Sequence, residues 1–516
     1  MAFPGACTSL QNLVFDQSNP EQVVARPGVG SALTAFASLS AAGAVSIHIA
    51  IGNTIYGMIK STLNAGFDQP FAYNLTAGFI AISGITAANV PTTQAVTGDW
   101  TPPTMAVIGP NIIVTHPGFS GANFFGTLNI ANPLAPTWVA GNTATNALPS
   151  VPVAVANYNN RAYYACGNLA YYSDSLVPGT MTNAGQALTL GDTTPITGFS
   201  GLPIQTTTAG VVAALVAFKA SQIWQITGDA AITNTLAENY LSLTVGCASP
   251  RTIVATPIGI IFIGVDSPYI ITQTGILMPL VNGMQRLQSD LHIPFQNIVN
   301  PGRAAAAYSG NIYRVCLDTV VKSSTVTNDY WFDTTARRWN GPHTWPFDCA
   351  SQVGNYFVLS HRTKAVGLFQ SQYMPQSTSV YDDNGTAISV KLESSFLPKM
   401  QNINVKEVIE STIELSYGGS SLSYQINALS ESLAISGTST LQYAGAPLRR
   451  WGDGSKWGDG GLWNAATPLP VTETVPWSTP VIFKKLALQI LAQASYFMSI
   501  GTFFAKYKNT GYTNVR

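Results

Sequence analysis

The chain has 516 residues, 46% of them hydrophobic and only 9% charged, and its 24 basic and 24 acidic side chains cancel to zero net charge. Ordinary soluble domains carry about 25% charged residues, so Thr, Ser, Asn, Gln and Gly supply the polarity here. That excludes a nucleic-acid binder working through a basic face, because phosphate neutralisation needs clustered cations and the pairs Arg337-Arg338, Arg449-Arg450 and Lys484-Lys485 extend into no stripe.

A neutral, hydrogen-bonding exterior suits a protein largely covered by neighbours, since burying Lys or Glu at an interface costs desolvation. It suits an extracellular β-protein equally well. The start, Met1-Ala2-Phe3-Pro4-Gly5, lacks a basic region and is broken by Pro4-Gly5, so no export signal is expected. The most apolar stretches, 210–218 and 258–265, are of strand length, well short of a span of about 20 residues, and no membrane insertion is expected. Cys7, Cys166, Cys247, Cys316 and Cys349 form no CxxC pair and are odd in number, so they read as free thiols in a reducing cytosol.

In chain order, residues 1–19 read as an N-terminal arm. The Ala- and Ser-rich run 30–44 carries no charged i,i+4 pair, and helical periodicity is scarce beyond it. Short runs of Val, Ile, Thr, Tyr and Phe then alternate with Gly, Asn, Pro and Asp, the pattern of strands and turns. A Gly/Asn turn followed by a strand recurs at Gly52-Asn53, Gly109-Pro110-Asn111, Asn159-Asn160, Gly310-Asn311 and Gly354-Asn355. Two related runs, 216–224 and Gly259–Ile263, fill the gap between the third and fourth of these. The spacing of roughly 45 to 60 residues matches one four-stranded propeller blade, whereas tandem sandwiches would repeat at about 100. Residues 20–390 are therefore predicted to form a β-propeller in an all-β chain.

The pattern fades after residue 390, and 391–516 read as an additional small C-terminal β-domain. It contains a Trp/Gly-rich loop, 450–463, in which Trp451, Trp457 and Trp463 recur every six residues. Each of the three could anchor a tight loop, stack on a partner or hold a sugar. Anchoring and partner contact are favoured, because aromatic side chains dominate interface energetics.

Residues that could carry chemistry are sparse. His48, His116, His292, His343 and His361 show no metal-binding spacing, and no nucleophile elbow or phosphate-cradling glycine loop is present. Asp174, Asp229, Asp266, Asp318, Asp329 and Asp333 could meet in a propeller funnel as a glycosidase pair, but each stands at a strand end or turn where Asp caps backbone. No catalytic, cofactor-binding or metal-binding residue is assigned, and the chain is expected not to be an enzyme.

Several segments resemble the nozzle proteins of short-tailed bacteriophages, also called tail hub or packaged-DNA stabilisation proteins. Arg26-Pro27-Gly28 is similar to that family's entry motif. Tyr163-Tyr164, then Tyr171-Tyr172-Ser173-Asp174 with Pro178-Gly179, resembles its central segment. Val216–Lys219 with Ile223-Trp224 through Gly228-Asp229 looks like its next hairpin, and Gly246-Cys247 with Ser249-Pro250-Arg251 and 259–264 like the blade after it. The resemblance covers roughly residues 20 to 340.

It implies a six-bladed propeller in a homo-hexameric ring below the portal and tail adaptor. Such a ring extends the DNA ejection channel, retains packaged DNA and anchors a needle or plug and the tail spikes or fibres. DNA passes without specific binding, no cofactor is implied, and the place is the virion tail, assembled in the host cytoplasm. The competing reading is a receptor-binding or glycan-degrading propeller, a tailspike or adhesin.

Overall fold

The computed structural model describes residues 7–16, 22–33, 45–61, 66–95, 100–206, 210–232, 235–247, 249–280, 295, 297–321, 323–362, 367–373, 380–394, 404–430, 434–443, 448–449, 462–463 and 470–512. Among them the only helical turns are two short 3-10 segments, Pro250–Thr252 and Pro301–Arg303. Everything else regular is strand, and the all-β propeller expected from the sequence is the fold observed.

Six meandering sheets follow one another, spanning residues 45–80, 104–141, 154–189, 196–242, 254–279 and 298–343. A seventh is built from Phe347–Val353, Tyr356–His361 and Leu368–Gln372, and the early strand Val29–Ala32 completes it by pairing antiparallel with Leu368–Gln372. A separate apolar cluster fills each gap between successive blades. The cluster joining Val45, Ile55 and Phe71 to Cys349, Val358 and Leu368 seals the seventh blade against the first. The ring is closed.

The count is seven, which corrects the six blades implied by the resemblance. The repeated turns mark the hairpin between the first and second strand of their blades. Asn159 and Asn160 both adopt positive φ, at 49° and 60°, as a two-residue hairpin turn matched to strand twist requires. The second strands are apolar on both sides, as in Thr54–Lys60 and Gly259–Ile263. Neighbouring sheets must cover both faces, so these strands favour radial stacking over a half-solvated sandwich.

Beyond the propeller lies a two-sheet sandwich. One sheet pairs Cys7–Gln11, Thr386–Ser394, Ala487–Ala494, Leu422–Leu429 and Ile435–Tyr443, and the other pairs Leu13–Phe15, Val23–Ala25, Met498–Tyr512, Asn404–Tyr417 and Val471–Thr474. Between them Leu13, Val23, Leu392, Ile413, Leu415, Tyr424, Ile490 and Ile500 form one buried core. The N-terminal strands thus belong to the sandwich and are not a free arm. The boundary drawn at 390/391 falls inside the strand Thr386–Ser394.

The two units are welded at residues 26–29. Val29 pairs with Ser371 on one side and Asp383 on the other, so blade seven continues into the sandwich sheet. Arg26 is fully buried, and its guanidinium holds both oxygens of Asp383, at 3.0 and 2.6 Å, while Nε donates to Asn12 Oδ1 at 2.9 Å. At Gly28 an added Cβ would lie 2.1 Å from the Asp382 carbonyl oxygen, so only glycine permits the approach.

Candidate functional site

The first strands of the seven blades surround the propeller axis and enclose a cavity of about 200 Å³, lined in part by His48, Thr104, Phe199, Arg251, Ala305 and Cys349. The two 3-10 turns sit just before Val254–Thr256 of blade five and Ala305–Ser309 of blade six, each opened by a proline, and place Arg251 and Arg303 near those strand entries. Arg251 Nη1 donates to the Ser46 carbonyl at 3.1 Å and Nη2 to the Gly302 carbonyl at 2.9 Å, and its guanidinium carbon lies 4.7 Å from the centroid of the Trp100 ring. Gly302 admits this arrangement, since a Cβ there would stand 1.9 Å from the Trp100 carbonyl oxygen. Arg251 Nε is buried and makes no hydrogen bond. Burial lowers its pKa from the ordinary guanidinium range, with Asp348 opposing that shift and Arg362 and Arg303 adding to it.

Beside it, Asp348 accepts from Arg362 Nε at 2.8 Å and from Arg303 Nη2 at 3.1 Å. Arg362 also pairs with Asp318, which accepts from Thr327 Oγ1 at 2.6 Å and Asn300 Nδ2 at 2.9 Å. On the same cavity, His48 Nδ1 lies 2.7 Å from Ser351 Oγ, while Nε2 is buried. Burial pushes His48 down to about 3, so the imidazole is neutral at pH 7. Cys349 is buried and pushed up to about 12, again chiefly by burial.

A second cavity of about 250 Å³ is lined by Lys60, Asp68, Thr93, Trp100, His116 and Asp348. His116 Nε2 meets Asp68 at 3.1 Å, and its Nδ1 accepts from the Gly118 backbone at 2.9 Å. The proton therefore sits on Nε2 and points at Asp68. Both nitrogens are occupied.

The other acids expected from the sequence do not converge. Asp174 accepts from Thr182 and Gln186, Asp229 from the Ala231 backbone, Asp266 from the Tyr269 hydroxyl, and Asp333 from Asn311 and two backbone amides. Asp229 and Asp333 cap turn backbone on blades four and six, as the sequence pattern predicts, whereas Asp174 and Asp266 meet chiefly side chains. Asp329 instead lies wholly buried against Arg314, at 2.6 Å, and burial raises its pKa despite that partner. His343 is buried beside Trp331, and His361 packs edge-on to Trp345. His292, Trp451 and Trp457 lie outside the described residues, and Trp463 belongs to a two-residue strand paired with Leu448–Arg449.

Sequence reading missed the axial group. Its legible signal was a proline closely followed by arginine ahead of a blade, at Pro250-Arg251 and Pro301-Gly302-Arg303, in a chain where arginine is scarce.

No protein-family model matches the chain, and no curated protein does. Among solved structures it is similar to a puromycin hydrolase at 12% identity and a TM-score of 0.38, covering 72% of this chain and 61% of that one. A puromycin-hydrolyzing peptidase of Mycobacterium tuberculosis gives 11% identity and 0.35, covering 71% and 53%. The acylaminoacyl peptidase of Pyrococcus horikoshii gives 9% and 0.35, covering 72% and 60%. The chain spans about half to three-fifths of the length of these structures. The expectation that the chain is not an enzyme is corrected on this finding, because the three structures named are those of hydrolases and peptidases. With TM-scores below 0.5, the likenesses assign it no particular reaction.

Proposed function

We propose that this chain is a structural subunit of the tail of a short-tailed bacteriophage. Six copies form a nozzle or hub ring below the portal and adaptor, which extends the DNA ejection channel, retains packaged DNA and anchors a needle or plug and spikes or fibres. The observation that carries this reading is that the residues behind the resemblance hold the frame together. Arg26-Pro27-Gly28 is the weld between propeller and sandwich. Lys219 is buried with its ammonium on Asp192, donating at 2.7 Å to the carbonyl oxygen and 2.9 Å to the carboxylate. Tyr163, Tyr164 and Cys247 are core. A protein that works by shape and symmetry needs such a signature.

Neutrality supports the same reading, since a wall poor in cations offers DNA few charges to exchange for its counterions. Arg251 over Trp100 and the lining side chains occupy the axis of the propeller itself, so the DNA path in this proposal runs through the opening between copies. Heterologous contacts that close on themselves leave such an opening. Electron microscopy of intact particles tests the proposal. Six copies around the tail axis are expected. Trimers on the outside of the tail would make this a spike or fibre and overturn it.

A further inference from the structure

We propose that one end of the propeller, on blades one to five, is a contact surface for a second copy of this chain, whose propeller rim packs against it. The inference deepens the ring reading and rests on it for the geometry.

Each blade is a meander with its first strand at the axis, so the turns joining first to second and third to fourth strands gather at one end. Bonds across them mark the grouping. Asn159 Nδ2 donates to the Gly228 carbonyl at 2.9 Å, and the Leu176 amide to the Asn160 carbonyl at 2.7 Å. At this end Ile51, Leu134, Leu176, Val177, Ile232 and Ile276 stand between 36% and 78% exposed. Charge is nearly absent. The described turns of blades one to five carry only Asp174 and Asp229, with Arg161 opening the strand after one of them. Each is already engaged locally: Arg161 Nη1 on the Ser173 carbonyl, Asp174 on Thr182 and Gln186, Asp229 on the Ala231 amide. The opposite end differs, with Lys60, Asp68, Asp192, Lys219, Arg251 and Asp266 in or beside its links. Depletion of charge around exposed apolar side chains marks the core of an interface.

The rim supplies the complement. The outermost strands of blades one to five are Gly78–Ile80, Thr137–Gly141, Ala187–Thr189, Ala237–Ser242 and Leu277–Pro279. Glu238 is their one charged residue, while Val139, Tyr240 and Met278 are 65%, 63% and 43% exposed. Outer sheet edges invite pairing with other chains, and monomeric proteins blunt them with Lys and other charges. This rim lacks that protection, so it calls for lasting cover. A partner for the turn face must itself be poor in charge, and the rim of the next copy is such a surface. Face and rim differ, so the contact is heterologous, the kind that closes into a ring.

Sedimentation velocity of the full chain at rising concentration tests this with two double variants. Wild type should self-associate. Ile232→Lys/Ile276→Lys on the turn face should raise Kd at least tenfold, and Val139→Lys/Tyr240→Lys on the rim should do the same. Mixing the two variants should restore association and stop it at dimers, because each copy keeps one intact surface. Val265→Lys, at the opposite end, should change nothing. A wild type that stays monomeric, double variants that associate like wild type, or a mixture without dimers overturns the proposal. Should a lysine variant fail to fold, hydrogen exchange of wild type at low and high concentration decides. Protection gained at 130–136 and 237–242 supports the contact, and protection confined to 263–268, or none, refutes it. The ring itself fails separately, if intact particles show another arrangement of copies while association in solution persists.

Discussion

Replacing Arg26 by Met keeps the aliphatic stem and removes the guanidinium that joins the sandwich to the propeller. Two bonds to Asp383, one to Asn12 Oδ1 and one to the Pro27 carbonyl are lost. Removing one partner of a buried ion pair costs about 3–5 kcal/mol, mostly because the other charge stays behind. Asp383 is 13% exposed and keeps the Val29 amide at 3.3 Å, and Asn12 Oδ1 keeps the Thr344 amide at 3.0 Å. The loss therefore falls at the low end, about 3 kcal/mol, or roughly two decades in an opening equilibrium. Because the chain has two folded units, a single unfolding free energy is ill defined. Amide hydrogen exchange at Leu13–Phe15 and Val23–Ala25 is the suitable assay. Exchange there should accelerate about a hundredfold in Arg26→Met. Arg26→Lys should give a smaller but clear acceleration, since an ammonium cannot span both carboxylate oxygens and Asn12. The double variant Arg26→Met/Asp383→Leu should regain much of the loss. Acceleration below about threefold in Arg26→Met would refute the reasoning, because the pair would then contribute less than an exposed one.

Gly28→Ala should destabilise the same junction by more than 1 kcal/mol or so, since the clash is with backbone; an unchanged denaturation midpoint would contradict it. His48 is held neutral by burial, its pKa lowered to about 3, so between pH 6.5 and 3 the unfolded chain binds a proton that the folded chain does not. Stability is then full above about pH 6.5 and falls as the pH drops through that window, and His48→Gln should flatten this slope in pH-resolved unfolding. Burial raises the thiols of Cys166 and Cys247 to about 11 and of Cys316 and Cys349 to about 12. Those four should resist alkylation at pH 8 in the native protein and react once it is unfolded, as peptide mapping would record.

Strand content and blade spacing were legible because both rest on local chemistry. A hairpin needs Gly or Asn where φ is positive, and Gly52, Gly109, Asn159, Gly310 and Gly354 all meet that need between the first and second strands of their blades. Five such turns and two related runs already amount to seven. The figure of six came from the family resemblance, not from these residues. Long-range closure was not legible. Nothing near Val29 says that it pairs with Ser371, over 300 residues away, and the short runs 7–15 and 23–25 do not announce a core shared with Leu415 and Ile490. The axial site was hidden for a related reason. His48, Arg251 and Cys349 come from three separate parts of the ring, and only ring closure brings them to one cavity.

The scarcity of charge then takes on a structural meaning. Several of the few ions in this chain are turned inward. Arg26 with Asp383 fastens the two units, and Arg314 with Asp329 lies wholly buried where blades six and seven meet. Arg362 of blade seven reaches Asp318 of blade six, Asp348 of blade seven reaches Arg303 of blade six, and Lys219 on blade four reaches Asp192 just before that blade. Buried pairs contribute little net stability over apolar contacts, but they penalise wrong pairings heavily. Seven similar sheets offer many ways to mispack, and a pair that fits only one junction discriminates among them. Every charge placed inside also leaves the exterior more neutral than the composition suggests. A surface so poor in Lys and Glu is poorly suited to a solitary soluble protein and well suited to lasting cover by identical neighbours, as the proposed ring provides.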